Sequence, residues 1–150
     1  MRSYGIYKVK KMYQPFVIGR EQLLYNLLTK NLEQGEDLKE IHYLCDIIEK
    51  QTVHDVIALK LRKLFTTMEY ENGKYTLTHP VKGSIYITLS DYSMNVYCDG
   101  SRMLDLDLFV ALSESGNRFF AVMDGHEEWG WLKPIKYMQQ ATEKEELMFR

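Results

Sequence analysis

Apolar positions alternate along "YGIYKVKK", residues 4–11: Tyr4 and Ile6 fall on one side of an extended chain, and Gly5, Tyr7 and Val9 on the other. That two-residue period predicts a first strand. Pro15 and Gly19 then bracket a loop or short turn. Beyond it, "REQLLYNLLTKNL" (20–32) sets Leu23, Leu24, Leu27 and Leu28 at one-face helical spacing, and Gly35 supplies a stop. "EDLKEIHYLCDIIEK" (36–50) repeats the pattern with Leu38, Ile41, Leu44, Cys45 and Ile48, and has acidic residues in its first turn, where the helix dipole favours them. A third helix is predicted over "TVHDVIALKLRKLF" (52–65), opened by Thr52 with Asp55 three residues on, and striped by Val53, Val56, Ile57, Lys60, Leu61 and Leu64.

After Phe65 the period returns to two. Asn72-Gly73 is a hairpin signal, Ile85, Ile87 and Leu89 share a face, and Ser90-Asp91 turns the chain, which predicts an antiparallel pair 83–89 with 93–98 and a shorter strand near 74–78. Asp99-Gly100-Ser101 ends that pair and caps a fourth helix, "RMLDLDLFVALSES", which Gly116 terminates. "RFFAVMD" is apolar on both parities, as a buried strand is. The order of elements implies an α+β fold: a single mixed, largely antiparallel sheet with about four helices packed against it. Residues 1–137 are expected to form one domain, and 138–150 a C-terminal tail or extra helix.

Composition adds exclusions. With 19 Lys and Arg against 21 Asp and Glu, the formal charge is −2, so no basic field is present to draw in a nucleic-acid backbone, and direct nucleic-acid binding is not expected. Lys8, Lys10 and Lys11 read as a solvated strand edge. Cys45 and Cys98 show neither C-x-x-C nor zinc spacing, which predicts two packed thiols in a reducing compartment. "MRSYGIYKVKK" lacks the apolar core of a signal peptide, and no window reaches 18 consecutive apolar residues, so a cytoplasmic protein with no membrane partner is expected. The 11 tyrosines point to a surface with amphipathic aromatic area rather than to a reaction.

The densest polar group is Asp124, His126, Glu127 and Glu128, between Phe119-Phe120 and the two tryptophans. Its spacing matches no helical H-E-x-x-H arrangement, and neighbouring Glu127 and Glu128 diverge if extended. Asp124-Gly125 is instead a good turn pair. The competing reading is a small metal-assisted hydrolase or transferase centred on the 124–128 loop, with Asp124, His126 and Glu128 at work. His42, His54 and His79 lie in three separate elements, and no G-x-S-x-G, G-x-G-x-x-G or Walker sequence occurs. No catalytic residue, metal ligand or cofactor is therefore assigned.

Interaction remains. "MYQPFVIGRE" carries Tyr13, Phe16, Val17 and Ile18, more bulk than a connection requires, and these side chains either line the core or face a partner. Tyr43 flanks the stripe of the second helix, at a margin where it can meet a partner.

"SYGIYKVKKMYQPFVIGREQLLYNLL" resembles the opening of the sporulation inhibitor of replication family, the SirA-like proteins of Gram-positive spore formers. "FFAVMDGHEEWGWLKPIK" resembles that family's closing pattern of an apolar strand, Met-Asp, a polar loop and aromatic-Gly-Trp-Leu-x-Pro. The resemblance implies a non-enzymatic regulator that binds the N-terminal domain of the replication initiator DnaA and restrains initiation. The family's contact positions fall at Tyr13, Val17, Glu40 and Tyr43, with aromatic character kept at Tyr13 and Tyr43. It also implies that Gly130, Trp131 and Pro134 form a structural clasp and that the Asp-His-Glu-Glu group is a solvated loop.

Overall fold

The computed structural model describes residues 1–32, 39–115, 118–125 and 128–132. Gly35, Leu38, Gly116, His126, Glu127, Pro134 and the 138–150 tail lie outside the described residues, as does the domain limit at 137.

Among the described residues, seven strands form one sheet in the order β2-β3-β4-β5-β1-β6-β7: β1 (Arg2–Lys8), β2 (Thr67–Glu71), β3 (Lys74–His79), β4 (Gly83–Leu89), β5 (Met94–Gly100), β6 (Phe119–Met123) and β7 (Glu128–Leu132). Every pairing is antiparallel. The α+β expectation is met. Two strands were not anticipated. β2 has four exposed positions in five and so no apolar alternation to read, and β7, "EWGWL", is short and interrupted by Gly130.

β1 is buried on both faces because the sheet is covered on both sides there. Tyr4 and Ile6 enter a core with β3–β6, α4 (Lys50–Val56) and α5 (Met103–Ser113). Tyr7 and Val9 enter a second core with Phe120, Val122, Trp131 and the N-terminal helices α1 (Gln14–Val17), α2 (Glu21–Leu32) and α3 (Lys39–Leu44). The apolar positions on α2 divide accordingly: Leu24 and Leu28 are buried, whereas Leu23 is exposed.

Two helices depart from the pattern. The second ends at Leu44 instead of running to residue 50, because Cys45 leaves the helix to bridge Val9. Lys10 N–H donates to the Leu44 carbonyl and Asp46 N–H to that of Lys8, both at 2.8 Å. These long-range bonds to a strand end outweigh one further turn of local helix. The third helix is α-helical only to Val56, widens into a π-helical turn at Ile57–Leu61 and tightens to 3-10 at Arg62–Leu64. The wide turn keeps both Ile57 and Leu61 in the core.

Between β4 and β5 the sheet narrows to backbone alone. Gly83 opposes Gly100, both at positive φ, and a Cβ on Gly83 would meet the Asp99 carbonyl oxygen at 2.2 Å. Arg2 joins β1 to α5 by donating from Nε and Nη2 to the Asp105 carboxylate at 2.8 and 2.7 Å, and the Tyr4 hydroxyl donates to the same group.

Candidate partner-binding surface

The chain leaving β1 is fixed at Val9 by the bridge to Cys45 and then turns through a 3-10 segment, Lys11–Tyr13, into α1, whose first turn carries Pro15. A proline there removes no helical hydrogen bond. The bridge brings two distant parts of the sequence together. Tyr13 and Tyr43 meet with ring centroids 5.5 Å apart and planes tilted by 46°. The hydrogen bond to Tyr43 is the main cause that raises the Tyr13 phenol above its ordinary pKa.

Around this pair Met12, Phe16, Ile18 and Tyr43 stay exposed, Tyr43 to 66%. Arg20 holds Phe16 in place: its guanidinium lies 4.8 Å from the ring centroid, and Nη1 donates to the Phe16 carbonyl at 2.6 Å. Glu40 is exposed one turn before Tyr43, and the two share a shallow cavity of about 370 Å³ with Lys39 and His42. Val17 points the other way. It is 5% exposed and packs in the second core, so it supports the surface from beneath, and Phe16 takes the outward position.

Three of the four positions singled out in the sequence, Tyr13, Glu40 and Tyr43, thus meet the surface, and the fourth lies under it. Met12 and Ile47 add exposed apolar area, and His42 stacks on Tyr92 at 4.4 Å and 14° beside them. Met12 could have been suspected from its place beside Tyr13. The approach of Tyr92 is set by tertiary packing and has no local signal.

The Asp124 group has a different setting. Asp124 and Gly125 begin the turn between β6 and β7, Gly125 at φ +79°, and Asp124 and Glu128 are exposed. The indoles pack under α2: Trp129 on Tyr25 at 4.8 Å, and Trp131 edge-on to Phe120 at 5.1 Å, with Nε1 donating to Glu21 at 3.2 Å. Among the described residues no group of three or more His, Cys, Asp and Glu is placed to hold a metal ion. The remaining described histidines have structural partners. His54 Nδ1 is 2.7 Å from the Tyr75 hydroxyl, and His79 Nδ1 accepts from the N–H groups of Val81 and Lys82 at 3.1 Å. Cys45 and Cys98 are buried thiols that form no disulfide, and burial pushes the Cys98 thiol well above its ordinary range. Among the described residues no helix is long and apolar enough to cross a membrane.

The family model described as "Sporulation inhibitor of replication protein SirA" matches residues 2–136, which include every element described above. No curated protein matches the chain.

Proposed function

Since the chain belongs to the SirA family of sporulation inhibitors of replication, we propose that it acts as a non-enzymatic inhibitor by binding the N-terminal domain of the initiator DnaA through the surface built on Tyr13 and Tyr43. The observation that carries this reading is the tyrosine pair itself. Half-buried Tyr13 and exposed Tyr43 pack against each other, with exposed Met12 and Phe16 alongside. Solvent-exposed aromatics held in one arrangement are what a binding hot spot requires, because little side-chain freedom is lost on association. Glu40 supplies a charged rim beside Tyr43. Val17 contributes by fixing α1 against the core.

The test is a calorimetric titration of the chain with the isolated N-terminal domain of DnaA from the same organism, at moderate salt. One-to-one binding is expected. Tyr43→Ala should weaken it by about 30-fold or more, the loss of one aromatic hot spot, with thermal unfolding nearly unchanged. Absence of binding overturns the choice of partner. Full affinity in Tyr43→Ala overturns the choice of surface.

A further inference from the structure

The helices α1–α3 cover only part of their side of the sheet. Over β2–β5 the side chains that face away from α4 and α5 are all half-buried or exposed. In the pairing register one row of them crosses five strands, from Glu69 through Thr76, Tyr86 and Tyr97 to Ser3. A solvated antiparallel face needs only polar residues. This one carries two tyrosines directly opposite each other, and Tyr97 is 44% exposed.

Charge and ring chemistry select the occupant. Among the described residues of β2–β5, Glu69, Glu71 and Asp99 on this face outnumber the base Lys74, which disfavours a phosphate backbone and favours cations. Lys74 Nζ already sits 5.3 Å from the Tyr86 ring centroid, so one of the two rings is used as a cation platform within the chain itself. We propose that this face binds an extended basic segment of a partner protein. Its Lys or Arg heads pair with Glu69, Glu71 and Asp99, and its side-chain stems lie on Tyr86 and Tyr97. With strands about 4.8 Å apart, the row spans about 19 Å, the length of roughly six extended residues. This surface is separate from the one at Tyr13 and Tyr43 and uses none of its residues.

The experiment is an NMR titration of the ¹⁵N-labelled full chain with a synthetic peptide of alternating Lys and Thr, alongside the same peptide with Glu in place of Lys. Saturable shifts are expected at the outward residues of β2–β5 with the Lys peptide alone, leaving Tyr13 and Tyr43 unmoved. Tyr97→Ala should weaken binding at least about tenfold. Glu69→Lys, at an exposed position outside the core, should weaken it comparably and keeps the test valid if the tyrosine variant unfolds. The proposal is overturned by any of four results: no saturable shift, equal binding of the Glu peptide, binding of an oligothymidine at the same residues, or shifts that depend on protein concentration alone and so mark a second copy as the occupant.

Discussion

Replacing Asp105 by alanine tests how the sheet is tied to its helical layer. The carboxylate sits in the first turn of α5, is 5% exposed, and accepts from Arg2 twice and from Tyr4 once. Asp105→Ala leaves the Arg2 guanidinium without its counter-ion and takes an acceptor from the Tyr4 hydroxyl. Removing one partner of a buried ion pair costs about 3–5 kcal/mol. The Arg2 side chain is 19% exposed, and Nη2 keeps a bond to the Ser101 carbonyl at 2.9 Å, so the low end, about 3 kcal/mol, applies here. At a urea dependence of about 2 kcal/mol per molar, the unfolding midpoint should fall by roughly 1.5 M. Urea unfolding followed by circular dichroism reads this directly. The cycle with Arg2→Met should then show a coupling of at least about 1.5 kcal/mol, because each single change destroys the same contact. A coupling below about 0.5 kcal/mol would refute the reasoning: the two residues would be destabilising for separate reasons.

The same carboxylate gives a pH signature. Burial pushes the Asp105 pKa up, but hydrogen bonds from Arg2 and Tyr4, together with the Arg2 charge, outweigh burial and hold it below the ordinary value. Its contribution is therefore complete above the unfolded pKa of about 3.9 and is lost as pH falls through the folded one. The stability gap between the natural chain and Asp105→Asn should be flat above about pH 5 and close on further acidification; a gap that widens in acid would contradict this. Gly83→Ala should cost at least about 2 kcal/mol by the same urea assay, since its Cβ has no room at φ +115°. Gly73→Ala, at φ +78° with open space around it, should cost only about 1 kcal/mol. Val17→Ala should lower stability by about 2 kcal/mol through lost core packing, whereas Phe16→Ala should leave it within about 0.5 kcal/mol and weaken partner binding instead. Equal stability in the two variants would show that Val17 is not a core residue.

Legibility followed the range of the interactions. α2, α5 and the strands from β3 to β6 were readable because their apolar periods are local and their stops carry Gly or Asp-Gly. The break after Leu44 was not, since Ile41, Leu44, Cys45 and Ile48 keep helical spacing whether or not the chain stays helical, and the bond that ends the helix comes from Val9. At the surface, residue type was informative and pairing was not. Tyr13 and Tyr43 stand 30 positions apart, and nothing near either predicts a 5.5 Å ring contact. Val17 shows the opposite failure. A valine beside Phe16 fits a core wall or an exposed face equally well in sequence, and only the curl of α1 turned it inward.

The early end of α3 is what makes the tyrosine surface rigid. A helix continuing to residue 50 would hold Tyr43 only through its own backbone, with no tie to the chain after β1. Instead, two backbone hydrogen bonds of 2.8 Å clamp the end of α3 to the end of β1, next to Val9 and Cys45, which are almost wholly buried. Tyr43 lies two residues before that clamp and Tyr13 four residues after it. The separation of the phenols is therefore set by main chain at the end of β1, where Lys8 pairs with β6 and its carbonyl accepts from Asp46 N–H. A surface preorganised in this way loses little conformational entropy when it meets a partner, which is the condition under which a patch of a few aromatic residues can bind tightly. In the proposed binding surface Cys45 therefore acts through main-chain geometry: its bridge to Val9 fixes the distance on which the tyrosine pair depends.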